Sequence, residues 1–341
     1  MQISDYSHKI CRFYEMSFSE FQNIKITQLI DITSGWETNL LSFDLTYEIQ
    51  GEQIKKELVA RIYPATDSKT KSTKEFNVMK KLYDLNYPVP RMEIFESSGQ
   101  IIGHPFVIME RINGPTMGEI IKNSSKRTKI KLMDRFIDLF AQLHSLNWNE
   151  FNLITPPPQS FHSYITTILD DYYSSYEKRG MKDFSEVFDW LRNQMEGIFI
   201  PSLSLIHLDY HPNNILMKDN TIPVVIDWGT SRVLDFRFDL AWTVLLANAH
   251  FSPNMGQEIF ELYQQKLGET IKDFDFFYVF AATRRLIDYA ISMTQGAESS
   301  GMRPETTTTL KQYTKVFYFV YNVLRSYLDV KIPIIEDLLA K

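Results

Sequence analysis

Leu205-Ile206-His207-Leu208-Asp209-Tyr210-His211-Pro212-Asn213-Asn214-Ile215-Leu216, followed after a short gap by Val224-Val225-Ile226-Asp227-Trp228-Gly229, decides the reading of this chain. The stretch sets three oxygen-bearing side chains at fixed intervals: Asp209, Asn214 five residues on, and Asp227 thirteen residues after that. The apolar runs 205–206, 215–217 and 223–226 read as short buried strands that fix the polar loops between them. Lys218-Asp219-Asn220-Thr221 reads as a tight turn joining two of these strands.

The spacing has a chemical rationale. Moving a phosphoryl group from a nucleotide to a hydroxyl requires a carboxylate near the attacking oxygen. It also requires oxygen ligands for magnesium, one of them strongly anionic. The protein-kinase catalytic loop, H-R-D-L-x-x-x-N followed by D-F-G, has the same offsets. Asp209 is therefore the candidate catalytic base, and Asn214 and Asp227 are the candidate metal ligands. His207 and His211 allow a rival reading, in which H-x-D-x-H holds the metal of a hydrolase. Against it, no third cluster of His, Cys or Glu stands out, and Asn214 and Asp227 would go unused. His207 is then expected to be a hydrogen-bonded scaffold residue, with His211 ordering the loop.

With Phe238-Asp239-Leu240-Ala241 included, the pattern resembles the aminoglycoside phosphotransferase-like superfamily of small-molecule kinases, over about residues 25–325. The resemblance implies a bilobal protein-kinase-like fold of α+β class. An N-terminal antiparallel sheet lobe (residues 1–112) would bind ATP or GTP with Mg2+, and a mostly helical lobe (113–341) would bind a small-molecule hydroxyl acceptor. Leu208 departs from the family, which often has Gly there. An activation loop ending in A-P-E is absent, which argues against a protein substrate. A catalytically silent nucleotide-binding protein on the same fold is the remaining alternative.

The front half supplies matching pieces. Residues 6–22 carry apolar side chains at helical intervals (Ile10, Phe13, Tyr14, Met16, Phe18). Residues 24–30, 39–47, 58–63, 91–96 and 105–110 read as strands. Period two puts Leu58, Ala60 and Ile62 on one face of the third strand and Val59, Arg61 and Tyr63 on the other. Helix 70–85 places Glu75 beside Met79 and Leu82. A carboxylate on an apolar face needs a partner, and Arg61 is the natural one. By the resemblance, Arg61 and Glu75 steady the phosphates, Ser34 and Gly35 sit at the hairpin tip over them, and Met109, Glu110 and Ile112 form the hinge at the nucleobase.

The back half reads as helices over 117–122, 127–146, 160–179 and 183–199, with about three more over 255–325. Ile130, Leu132, Met133, Phe136, Leu139, Phe140 and Leu143 are expected on the core side of the second. Asp239 looks like an N-terminal cap with a structural role. Asp170 and Asp171, beside Tyr172, Tyr173 and Tyr176, read as a solvated face rather than a cation site. Arg284 and Arg285 either line the acceptor site or pair with acids.

Composition sets the outer bounds. The chain has 341 residues, enough for two cores, with 44% hydrophobic and 23% charged side chains. A net charge of −6 argues against a nucleic-acid binder. Cys11 is the one cysteine, so no intrachain disulfide forms, which suits a cytoplasmic location. No apolar run of about 20 residues implies a membrane partner.

Overall fold

The computed structural model describes residues 3–32, 38–64, 68–154, 157–300, 302 and 306–340. The chain divides into two compact units, Met1–Thr116 with Ile215–Gly229, and Met117–Asn214 with Thr230–Lys341.

The first unit opens with helix α1 (Ile3–Ser17), followed by strands β1 (Gln22–Asp31), β2 (Asn39–Ile49) and β3 (Glu52–Ile62). Helix α2 (Ser68–Asp84) precedes β4 (Met92–Glu96) and β5 (Phe106–Glu110). The five strands form one antiparallel sheet in the order β1-β2-β3-β5-β4. This is the sheet the sequence leads one to expect, except that β3 begins six residues earlier than its apolar part. Gln50 and Gly51 both have positive φ and close a two-residue hairpin, which pairs Ile49 with Glu52. The polar first half of β3 is thus held by its ladder with β2, not by burial.

The two faces of β3 behave as its alternation dictates. Leu58, Ala60 and Ile62 share a core with Ile10 and Tyr14 of α1 and with Phe43, Phe106 and Ile108. Arg61 and Tyr63 face the other way and meet α2, whose Glu75, Val78, Met79 and Leu82 are buried. One expectation fails in α1: Met16 is 70% exposed. It stands off the stripe of Ile10 and Tyr14, and the helix stops at Ser17, so Phe18 packs from beyond its end onto Tyr14 and Phe21.

Strands β7 (Ile215–Lys218) and β8 (Ile222–Val225) make a hairpin within this unit. Asp219 and Asn220 turn it in the left-handed conformation that Asp and Asn tolerate. A bridge from Thr116 to Leu216 and a bond from Val225 N–H to the Pro88 carbonyl fix the hairpin to the rest of the unit.

The second unit is mostly helical: α3 (Met117–Asn123), α4 (Lys126–Ser145), α5 (Phe161–Lys178), α6 (Ser185–Met195), α7 (Phe236–His250), α8 (Met255–Leu267) and α9 (Phe274–Gln295). Helices α10 (Thr306–Gln312), α11 (Thr314–Tyr327) and α12 (Pro333–Leu339) complete it. Between them, β6 (Ser204–Ile206) pairs with β9 (Arg232–Leu234), a three-residue strand too short to stand out in the sequence. Phe238 to Ala247 of α7 is an unbroken buried run, so this helix is the centre of the unit. Ile130 of α4, expected in the core, is 48% exposed, because the packed stripe of that helix starts only at Met133. No described helix is long and apolar enough to cross a membrane.

Candidate active site

The first unit builds an ion-pair cluster on strand β3. Arg61 Nη1 lies 3.2 Å from Glu75 Oε1, and Arg61 Nη2 donates to Asp227 Oδ1 at 2.9 Å. Tyr63 donates its hydroxyl to Glu75 Oε2 at 2.8 Å. Burial opposes the charge on Arg61, but Glu75 and Asp227 more than restore it, so its pKa is raised and it stays a cation. Burial likewise pushes the Glu75 carboxyl up. Arg61 thus does more than the sequence suggested: its planar fork bridges two carboxylates, one from α2 and one from the Asp227-Trp228-Gly229 turn.

Asp227 has φ of +68°, unusual for a residue with a side chain, and its own side chain is 44% exposed. The neighbouring Trp228 pins the turn. Its ring is fully buried, donates to the Val225 carbonyl at 3.1 Å, and packs edge-on against Tyr87. The conformation therefore presents one carboxylate outward while its neighbour is locked inside.

At the end of β5, Met109 is buried. Glu110 uses its N–H on the Arg91 carbonyl and its carboxylate on Lys218 at 2.5 Å. Arg111 N–H goes to the Glu57 carbonyl. The Ile112 N–H has no backbone acceptor among the described residues. Ser34 and Gly35 lie outside the described residues.

The second unit carries the other group. Asn214 donates through Nδ2 to both the backbone carbonyl of Asp209 (2.9 Å) and its carboxylate (3.0 Å). The Asn214 amide nitrogen is committed, so Oδ1 is left as the free acceptor. His211 Nε2 stands 3.6 Å from the Asp209 carboxylate. Burial would raise the Asp209 pKa, but His211, His207 and the bond from Asn214 outweigh it and hold the carboxyl well below the ordinary range. Asp209 is therefore an ionised acceptor at any physiological pH.

The loop carrying Asp209 is held from behind. His207 is fully buried, and its Nδ1 accepts the Asp209 N–H at 3.2 Å. This is the scaffold role expected of it. Leu208 takes φ of +61°, which explains why the resembled family often places Gly here. Asp239 compensates the strain: its carboxylate accepts the N–H groups of His207 (2.6 Å) and Leu208 (2.7 Å). Its third contact is His144 Nε2 at 3.2 Å, and His144 Nδ1 is 2.7 Å from the Tyr263 hydroxyl. Burial keeps that phenol protonated.

Asp239 is therefore not the helix cap the sequence suggested. Asp235 caps α7, accepting the Arg237 N–H at 2.9 Å. Asp239 sits one turn inside with both oxygens turned to the loop. Sequence reasoning missed this partner because the contact spans more than thirty residues. The one signal was an acid in the first turn of an otherwise apolar helix. The acid–tyrosine face of α5 is solvated only in part: Asp170 and Asp171 are exposed, Asp170 pairing with Arg192, but Tyr173 and Tyr176 are buried in the core, with the Arg192 guanidinium 4.9 Å over the Tyr173 ring. Among the described residues, no three His, Cys, Asp or Glu side chains converge as a metal-ligand cluster, which removes the basis for the hydrolase reading.

An antiparallel five-stranded sheet unit and a helical unit bearing an H-x-D-x-x-x-x-N loop define the protein-kinase-like class. The family described as the phosphotransferase enzyme family, APH, matches residues 40–275, and the chain belongs to it. Acyl-CoA dehydrogenase family member 11 of Pongo abelii is 26% identical over 174 residues, 49% of this chain. The match spans only 22% of that relative's length.

Among solved structures, a candidate aminoglycoside phosphotransferase from Ralstonia eutropha JMP134 aligns with a TM-score of 0.61 at 16% identity, covering 92% of this chain and 98% of that one. APH(2")-IIia in complex with GDP and kanamycin gives 0.56 at 15% identity, over 89% and 98%. Plasmodium vivax ethanolamine kinase gives 0.56 at 16%, over 89% and 83%. These likenesses establish the fold.

Proposed function

We propose that the protein transfers the γ-phosphoryl group of ATP or GTP to a hydroxyl of a small molecule, with Mg2+ as cofactor. The observation that carries this reading is the Asp209–Asn214 pair. A carboxylate kept ionised well below its usual pKa is bonded to an amide whose oxygen remains free. Asp209 orients the acceptor hydroxyl and receives its proton as the phosphoryl group transfers. Asn214 Oδ1 and the exposed carboxylate of Asp227 are hard oxygen donors and fit magnesium. Magnesium, when bound, neutralises charge developing on the phosphate oxygens.

Arg61, positioned by Glu75, steadies the phosphates. The Glu110 carbonyl and the Ile112 N–H, which has no backbone acceptor among the described residues, receive the nucleobase, with Met109 behind it, and Ser34 and Gly35 are assigned to the phosphates. The nucleotide and acceptors named with the structural relatives, GDP, kanamycin and an ethanolamine kinase's substrate, support a nucleotide donor and a small hydroxylated acceptor.

The test is nucleotide consumption over a panel of hydroxylated metabolites and antibiotics, with ATP and GTP as separate donors. Asp209→Ala is expected to abolish transfer and retain nucleotide binding. Equal turnover by wild type and Asp209→Ala would remove the assignment.

A further inference from the structure

Leu208 is strained and buried at once. Its φ of +61° is the left-handed conformation that penalises a residue with a Cβ, and it is only 5% exposed. Asp209 follows it directly in the chain. Asp239 holds the Leu208 amide, but that bond makes no use of the leucine side chain. A strained residue next to a reacting group points to a function for what the strain places.

The side chain forms one wall of a small cavity. Ile168, Leu169 and Tyr172 of α5 and Phe280 and Arg284 of α9 line it as well. All of these residues belong to the second unit, as does Asp209. Ile168, Tyr172 and Phe280 are half-buried, and the cavity is partly open on their side. Its volume is about 10 Å³, room for a methyl-sized group rather than a ring.

The wall is close to apolar. Phe280 packs edge-on against Tyr172 and Phe238, with centroids at 6.2 and 5.0 Å. Arg284 is engaged to one side: its guanidinium lies 4.2 Å over the Trp242 ring, and its Nε is 3.8 Å from Asp288. Among the described residues the wall holds no carboxylate. An ammonium group would find no counter-charge in it, and a polyol would exchange water for side chains that are mostly hydrocarbon. An alkyl group gains by making the same move.

Consecutive Cα atoms are about 3.8 Å apart, so the wall at Leu208 and the carboxylate at Asp209 share one stretch of backbone. We propose that the cavity seats the alkyl end of the acceptor, so that the molecule phosphorylated is an alcohol with a hydrocarbon chain rather than a polyamine or a polyol. The proposal rests on the phosphotransferase reading above and names its substrate class. In the transfer, the bond from the γ-phosphorus to the β–γ bridging oxygen breaks and one to the alcohol oxygen forms. The alcohol proton passes to Asp209, and the alkyl group is unchanged.

The test reads binding without turnover. Calorimetric titrations in saturating Mg2+ and ADP, which fill the donor site, use ethanol, 1-propanol, 1-butanol and 1-pentanol against glycerol, sorbitol and ethanolamine. Affinity is expected to rise about threefold to fourfold with each methylene that enters the cavity, and then to level off. Ile168→Trp narrows the opening and should flatten the series. Ile168→Ala widens it and should move the levelling to a longer alcohol. Opposite effects from one position separate a change in the cavity from a loss of the fold.

The proposal is overturned if wild-type affinity does not grow with chain length, if glycerol or ethanolamine binds as tightly as 1-pentanol, or if either Ile168 variant gives the wild-type series. Binding with the expected pattern and no phosphoryl transfer to any alcohol would count against the phosphotransferase reading instead.

Discussion

Asp239→Asn replaces one oxygen of the carboxylate behind the loop that carries Asp209 with an NH2 group. In the wild type the two oxygens take the amides of His207 and Leu208 at 2.6 and 2.7 Å, with His144 as a third contact. The variant loses one charge-assisted bond and turns a donor toward a buried N–H. Those losses sum to about 2.5–6 kcal/mol, from about 1.5–3 for the bond and about 1–3 for the stranded group. That is a large share of the 5–15 kcal/mol that holds a typical domain folded.

The effect should extend to chemistry. Leu208 is held in a left-handed conformation that costs about 1–2 kcal/mol. With its amide released, the loop relaxes and carries Asp209 with it. A displacement near 1 Å is enough for a loss in kcat of about a hundredfold. Nucleotide affinity should change little, because Arg61, Glu75 and Asp227 belong to the other unit. The assay is urea denaturation of both proteins beside steady-state kinetics. A destabilisation under about 1 kcal/mol, or an unchanged kcat, would refute the role given to Asp239.

His211→Ala removes a positive influence that lowers the Asp209 pKa while burial, which raises it, remains. The carboxyl pKa should rise, and turnover should then be lost on acidification at a pH where wild type still works; a pH–rate profile of each reads this. Arg61→Lys keeps a charge but loses the fork shared by Glu75 and Asp227, so nucleotide KM should rise about tenfold or more, measured by initial rates. Gly114→Ala places a Cβ 2.0 Å from the Met217 carbonyl oxygen, at φ of +154°. It should destabilise by about 1–3 kcal/mol or more as backbone is forced apart, seen as a lowered urea midpoint.

Much of the fold was legible because its signals are local. Strand β3 showed its two faces through strict alternation, and α2 placed Glu75 on an apolar stripe that demanded a cation. Where the signal weakened, so did the reading. The polar start of β3 depends on a hairpin that forces its register. Met16 and Ile130 are apolar side chains near helix ends that the structure leaves exposed.

By itself, the sequence determined the order of elements, the spacing of Asp209, Asn214 and Asp227, and the pairing of Arg61 with Glu75. Those follow from periods of two and 3.6 residues and from the cost of burying a lone charge. Only the tertiary structure decided that Asp239 holds the loop rather than caps a helix, that Asp227 meets Arg61 across 166 residues, and that Arg284 approaches Asp288 while Arg285 stacks over Phe317. The physical reason is that hydrogen bonds and ion pairs form between groups brought together by packing, and no spacing along the chain records which groups those are.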